Sequence, residues 1–329
     1  MRRREFIGLI FGAAATCPLV ARAQQPERMR RVGVFMNLAP DDPQSAREIS
    51  AFVDALKQRG WTPGSNLQIE YRWGAGDHDL DQKYAPELVA FSPDVLLVTG
   101  GTTVGILQQA TRSIPIVFVE VTDPVNRGLV ASLAQPGGNT TGFTQFEFSI
   151  AGKWLELLKQ IAPNVRRAAI IRDPSETSAI GQFAVLQATA PRLGVEVRPV
   201  DARDITEIER AMASFARDPD GGMVMTPTGA ARGHREAIIA LAARLKLPAV
   251  YAYRYYVTDG GLISYGPDVT EQCRRAAEYV DRILKGEKPA NMPAQAPTKY
   301  QMVINLRTAK ALGLSVPQSL QASVDEVIE

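Results

Sequence analysis

The chain has 329 residues but only two cysteines, Cys17 and Cys273, and two histidines, His78 and His234. With so few of these ligand types, no Cys/His cluster has metal-site spacing. His78, in Asp77-His78-Asp79, and His234, beside Arg235, read as solvated side chains and not as catalytic or metal-binding ones. No Gly-x-Gly-x-x-Gly follows the first apolar run, and no Gly-x-Ser-x-Gly surrounds a serine such as Ser175 or Ser264. A dinucleotide enzyme and a serine hydrolase are therefore disfavoured, and neither a cofactor nor catalysis is expected. Charge of one sign is missing too: without Arg2, Arg3, Arg4, Arg22 and Glu5, 33 basic residues face 34 acidic ones. Such a balance provides no basic field for nucleic acid or an anionic membrane. No apolar run reaches the roughly 20 residues of a membrane span.

The segment 1–23 has the three parts of an export signal: three arginines, an uncharged stretch from Phe6 to Ala21, and a small-residue cleavage site at Ala21-Arg22-Ala23. Arg3-Arg4-Glu5-Phe6-Ile7 is similar to the twin-arginine signal of proteins exported already folded. Cys17 follows Ala14-Ala15-Thr16, which lacks the residues that lipidation wants, so a lipid anchor is set aside. The expectation is a soluble periplasmic protein beginning at Gln24, with Cys273 as its only cysteine and no internal disulfide.

What is present is one strand–helix pattern, written twice. Apolar runs rich in Val and Ile fall at 32–36, 67–71, 94–100 and 114–119, and again at 168–172, 195–198, 222–226 and 247–251, with helical patterns between them. This alternation predicts parallel βαβ sheets, and two rounds of it predict two Rossmann-like α/β lobes with a cleft between them. Lobe one is assigned to 30–145 plus 266–295, and lobe two to 146–265 plus 296–329, joined by a hinge of several crossovers. Helices are expected at 150–161, 269–285 and 306–312, the last capped by Asn305.

Ligands of open parallel sheets bind beyond the carboxyl ends of the strands. In lobe one that edge offers Asn37, the Gly100-Gly101-Thr102-Thr103 loop, Thr122 and Asp123. The glycines let a ligand approach the backbone, and the helix start that follows offers free N–H groups to a carboxylate, with threonine hydroxyls as further donors. A tight turn with Thr102 as N-cap is the alternative for the same residues. In lobe two the edge offers Ser175 and Glu176, then Thr226, Thr228 and Gly229, then Tyr253 and Arg254. Tyr251, Tyr253, Tyr255 and Tyr256 supply aromatic area that could stack on a ring, and Arg254 could grip an acid group. Asp123 could pair with an ammonium group.

With these segments in place, the chain resembles the bacterial ABC-transporter substrate-binding proteins that include tryptophan- and tyrosine-binding components. The stretches that carry the resemblance are Ile114-Pro115-Ile116-Val117-Phe118 through Asp123-Pro124-Val125, Pro136-Gly137-Gly138-Asn139-Thr140-Thr141-Gly142, Gly260-Gly261-Leu262-Ile263-Ser264-Tyr265-Gly266, and Val303-Ile304-Asn305-Leu306 with Ala309-Lys310-Ala311-Leu312-Gly313. The resemblance implies a type I periplasmic-binding fold with three crossovers, delivering a small-molecule solute to an ABC permease; a monomer is expected. Members similar to the aromatic amino-acid binders tend to have an Asn-Ser pair where this chain has Asp173-Pro174-Ser175-Glu176-Thr177-Ser178, and an Asp-Asn after the threonine of the Thr226 loop, which here reads Thr228-Gly229-Ala230. The ligand is expected to be an aromatic amino acid or an aromatic or other small organic acid. The rival readings are a binding subunit that feeds a sensor and a periplasmic enzyme on the same lobes.

Overall fold

The computed structural model describes residues 28–329. The expected export signal, with its expected twin-arginine pair and cleavage site, and Cys17 lie outside the described residues.

The first lobe is built from β1 (Arg30–Met36), α1 (Pro43–Gln58), β2 (Leu67–Trp73), α2 (His78–Ala90), β3 (Val95–Thr99), α3 (Gly101–Ala110), β4 (Ile116–Val121) and β5 (Thr140–Thr144). Its five strands are all parallel, in the order β2-β1-β3-β4-β5. The central strands are buried on both faces, as their unbroken apolar runs require. Val32, Val34, Val95, Leu97, Val117 and Val119 pack into one core layer, while Phe35, Leu96, Val98, Ile116 and Phe118 pack into the other. The alternation breaks at Glu120, whose φ of +59° coincides with a register shift between Phe118 and Val121. Val121 then takes the layer that Glu120 would have occupied. Such irregularities re-aim a side chain at the end of a strand.

The second lobe follows with α4 (Ile150–Ile161), β6 (Arg167–Arg172), α5 (Thr177–Leu193), β7 (Glu196–Asp201), α6 (Ile205–Phe215), β8 (Gly221–Met225), α7 (Gly229–Gly233), α8 (Arg235–Arg244), β9 (Ala249–Tyr251), α9 (Arg254–Thr258) and β10 (Ile263–Pro267). Then α10 (Val269–Leu284) returns to the first lobe, where it packs on α1 and the central strands. Its Cys273, Ala276, Ala277, Val280 and Leu284 lie in the same core layer as Phe52 and Leu56 of α1. The segment to Gln295 stays there, with the Gln295 N–H bonded to the carbonyl of Gly142. Finally β11 (Tyr300–Asn305), α11 (Leu306–Ala311), α12 (Gln318–Gln321) and β12 (Glu326–Ile328) rejoin the second lobe. The seven strands of its sheet run β12-β11-β10-β9-β8-β6-β7, parallel except for the antiparallel β10–β11 pair. The chain thus passes between lobes after Thr144, after Pro267 and after Gln295. Asn305 caps α11 by accepting from the Thr308 N–H. Among the described residues, no helix is long and apolar enough to cross a membrane.

Candidate functional site

A cavity of about 470 Å³ lies between the facing strand ends of the two sheets, lined from both lobes. Lobe one contributes Asn37, Gly100, Gly101, Thr102, Thr103 and Thr122, and lobe two contributes Ser175, Glu176, Thr228, Gly229 and Tyr253. Three residues expected beside them lie elsewhere. Thr226 is fully buried under the edge, its hydroxyl donating to the Ile171 carbonyl at 3.0 Å. Asp123 turns back on its own loop at φ +46° and accepts from the Asn126 N–H at 3.2 Å. Arg254 faces away from the cavity and forms two hydrogen bonds, 2.7 and 2.6 Å, to Glu326 of β12. The tyrosine cluster also differs from expectation: Tyr253 reaches the cavity, but Tyr251, Tyr255 and Tyr256 are core residues.

On the lobe-one wall, α3 begins at Gly101 with Gly100 as N-cap, so Thr102 is the second helical residue and not the cap. No side chain caps this terminus, which leaves its first N–H groups for a ligand or water. The positive φ of the loop falls on Gly100, at +85°. Gly101 matters for a different reason: a β-carbon there would stand 2.8 Å from Cζ of Arg127. The Arg127 guanidinium, in the turn after β4, therefore lies directly over the start of α3. No carboxylate among the described residues comes within 4.0 Å of it. Burial lowers its pKa, and the charges of Glu176 and Asp123 oppose that only at a distance. Behind the helix start, Thr103 donates to Asp81 at 2.8 Å. Burial lifts the Asp81 carboxyl to about 6, against that hydrogen bond.

The lobe-two wall is acidic. Asp173 accepts from the Ser175 N–H and hydroxyl at 2.8 and 2.6 Å. Glu176 accepts from the Gly229 N–H at 3.3 Å, and burial raises its pKa despite that bond. Thr228 is buried, with no hydrogen-bond partner for its hydroxyl.

Two arginines of lobe two reach across to lobe one. Arg232 of α7 donates to Glu120 at 2.6 Å and to Asn37 at 3.0 Å, with its guanidinium 4.7 Å from the centre of the Tyr253 ring. Both partners of the Arg232–Glu120 pair are almost wholly buried, with side-chain exposures of 4% and 0%. Burial alone would lower the Arg232 pKa, but the Glu120 charge overrides it and holds the pKa high. Arg235 of α8 donates to Asp42, the N-cap of α1, at 2.8 Å, and pairs with Asp259 at 2.7 Å. The lobes touch elsewhere too: a β-carbon on Gly229 would lie 3.6 Å from Cα of Gly76. Gln145, on the first crossing, accepts from the Tyr253 hydroxyl at 2.5 Å and donates to Thr122 at 3.2 Å. The lobes are drawn together around the cavity. His78, the first residue of α2, stands at the cavity's solvent side.

Glu120, Arg127, Gln145 and Arg232 were not legible as site residues from local pattern. Glu120 gave one signal, a charge inside an apolar run that becomes a buried strand. Arg127 lies just beyond the Asp123-Pro124 turn, and Arg232 lies one helical turn after Thr228-Gly229. Among the described residues, no group of three His, Cys, Asp or Glu side chains is arranged to hold a metal ion.

A sequence profile for the family described as ABC transporter substrate binding protein matches residues 33–328. The chain is 27% identical over 289 residues to a tyrosine-binding protein of Clostridioides difficile (strain R20291), spanning 88% of this chain and 82% of that protein. It is similar in structure to a conserved domain protein of Vibrio cholerae, with a TM-score of 0.84 and 29% identity, over 91% of this chain and all of that one. A Streptococcus pneumonia ABC domain in complex with L-Trp aligns with a TM-score of 0.83 at 24% identity, over 91% of this chain and 99% of its own. Substrate-binding proteins of ABC transporters bind small molecules, work with ABC transporter permeases and are typically exported or periplasmic. With two parallel-sheet lobes in the type I periplasmic-binding arrangement and a family match across nearly all the described residues, the chain belongs to the ABC transporter substrate-binding proteins.

Proposed function

We propose that this chain is the exported, monomeric solute-binding component of an ABC importer, and that it closes around a small carboxylate-bearing ligand in the cavity between its lobes. The observation that carries this reading is Arg127, a half-buried guanidinium that has no carboxylate partner among the described residues, donates only a long hydrogen bond of 3.5 Å to the Thr102 hydroxyl, and lies over the uncapped start of α3. A carboxylate placed there gains a charge-assisted contact from Arg127 and N–H groups from the helix terminus. The acidic wall across the cavity, with Glu176 and Asp173, suits an ammonium group on the same ligand. An α-amino acid therefore fits better than the loss of the relatives' Asn-Ser and Asp-Asn side chains suggested. The Arg232–Glu120 and Arg235–Asp42 pairs, which need the lobes together, support a hinge-closed liganded form. The closed form is what the protein presents to its permease, and catalysis and nucleic acid have no part in the reading.

Calorimetry with free amino acids and with simple carboxylates tests the proposal, alongside the same ligands carrying an amide in place of the acid. A ligand present at 100 times its dissociation constant should stabilise the folded state by about 2.7 kcal/mol. The amide should bind far more weakly, because it brings donors to a wall of donors. Equal binding of acid and amide would overturn the carboxylate site.

A further inference from the structure

The relatives named for tyrosine or solved with L-Trp suggest an aromatic ligand, but the cavity walls here are built for another kind of side chain. Among the described residues no Leu, Ile, Val, Met, Phe or Trp lines the cavity, and its rings are those of Tyr253 and of His78 at the solvent side. The Tyr253 ring is already fully engaged. Arg232 sits 4.7 Å from its centre, Tyr255 stacks on it at 5.2 Å and 17°, Phe146 packs at 5.7 Å, and its hydroxyl is donated to Gln145. A phenol or indole would find no Tyr, Phe or Trp face free to stack on inside the cavity, only the exposed His78 imidazole at its rim. It would lie instead against carboxylates and hydroxyls, whose desolvation it could not compensate.

The carboxylates among those groups accept hydrogen bonds and cannot donate them, whereas a hydroxyl can do either, so the walls together ask mainly for donors. Thr228 and Glu120, on opposite walls and each at most 3% exposed, both keep a buried oxygen with no hydrogen-bond partner. Four carboxylates line the cavity, Asp81, Glu120, Asp173 and Glu176, against the guanidiniums of Arg127 and Arg232. Arg232 is committed to Glu120, so a ligand carboxylate on Arg127 leaves three acids facing the rest of the ligand. A buried acceptor left without a donor is costly, and specificity follows from that cost.

We propose that the ligand is an amino acid whose side chain carries nitrogen, as an amide, amine or guanidinium group, and not an aromatic ring. The inference rests on the binding reading above and narrows it. Calorimetry of the mature chain should compare L-glutamine, L-asparagine, L-lysine and L-arginine with L-tryptophan, L-tyrosine and L-phenylalanine. At least one of the first four should bind tenfold or more tightly than any of the last three. For that ligand, Thr228→Val should lose about tenfold in affinity and Thr228→Ser should keep it, with both variants melting like the wild type. Tighter binding of an aromatic amino acid would overturn the inference while leaving the amino-acid-binding reading intact. Unchanged affinity in Thr228→Val would overturn it too, by showing that the orphaned hydroxyl makes no demand on the ligand. If all seven fail to bind, the inference falls. Glutarate and phenylacetate then decide the broader reading, which survives if either binds and falls if neither does.

Discussion

Lobe one meets the cavity with the uncapped start of α3 and the guanidinium of Arg127, which has no carboxylate partner among the described residues, whereas lobe two meets it with Asp173, Glu176 and the orphaned hydroxyl of Thr228. Both walls come from the same strand–helix plan, at the same carboxyl ends of parallel strands. Repetition of a fold therefore fixes where a site lies without fixing its polarity. A molecule with an acid at one end and donors at the other satisfies both walls only when the lobes are together. The cross-lobe arginine pairs offer a second, ligand-independent hold on the same closed state.

The most severe way to break this opposition is to remove Arg232, which leaves Glu120 buried and uncompensated. Breaking a buried pair by removing one partner costs about 3–5 kcal/mol. Arg232→Ala should therefore lose a hundredfold or more in affinity and show a larger radius of gyration by small-angle scattering. Wild-type affinity with unchanged dimensions would show that the pair does not hold the lobes. Next in size, Arg127→Met should cost about 1.5–3 kcal/mol of binding, the worth of a charged hydrogen bond. It should affect the acid form of the ligand and hardly touch the amide, leaving the ligand-free melting temperature in place. Gly101→Val sharpens the same point, since its side chain must displace the Arg127 guanidinium. It should weaken binding tenfold or more alone but add little to Arg127→Met, because changes that act through one group do not add.

A smaller effect follows from Asp81. Its folded-state pKa of about 6 lies above the ordinary 3.8, so the native state holds a proton that the unfolded chain releases between those values. The contribution to stability is complete below about pH 4 and is lost as pH rises through 6. Asp81→Asn should flatten that fall in melting temperature and melt above the wild type at pH 7. A wild-type slope in the variant would assign the fall to another group. Smallest of all, Thr102→Ala should cost about 0.5–1.5 kcal/mol of binding by calorimetry, because the backbone donors and Arg127 remain.

The strand runs and the loops at their carboxyl ends were legible because a parallel sheet buried on both faces demands unbroken apolar segments and places its ligand edge by geometry. The charges that distinguish the walls were not. Glu120 reaches its place through a backbone irregularity within β4, and Arg232 is defined by a partner 112 residues away. Arg254 misled for the mirror-image reason: its partner Glu326 lies 72 residues on, in a strand that local pattern does not attach to it. Local sequence reports which face a residue can take, and long-range pairing decides what it does there.

The return of α10 to the first lobe sets an order of assembly. The central strands of that lobe are translated first, yet the apolar layer formed by Val32, Val34, Val95 and Leu97 is completed by Cys273, Ala276, Ala277 and Val280, which are translated after nearly all of the second lobe. The first lobe therefore cannot finish folding as an N-terminal unit ahead of its neighbour. A nascent chain released near residue 265 would carry this layer open to solvent, a surface that a chaperone or a quality-control protease recognises before any solute is encountered.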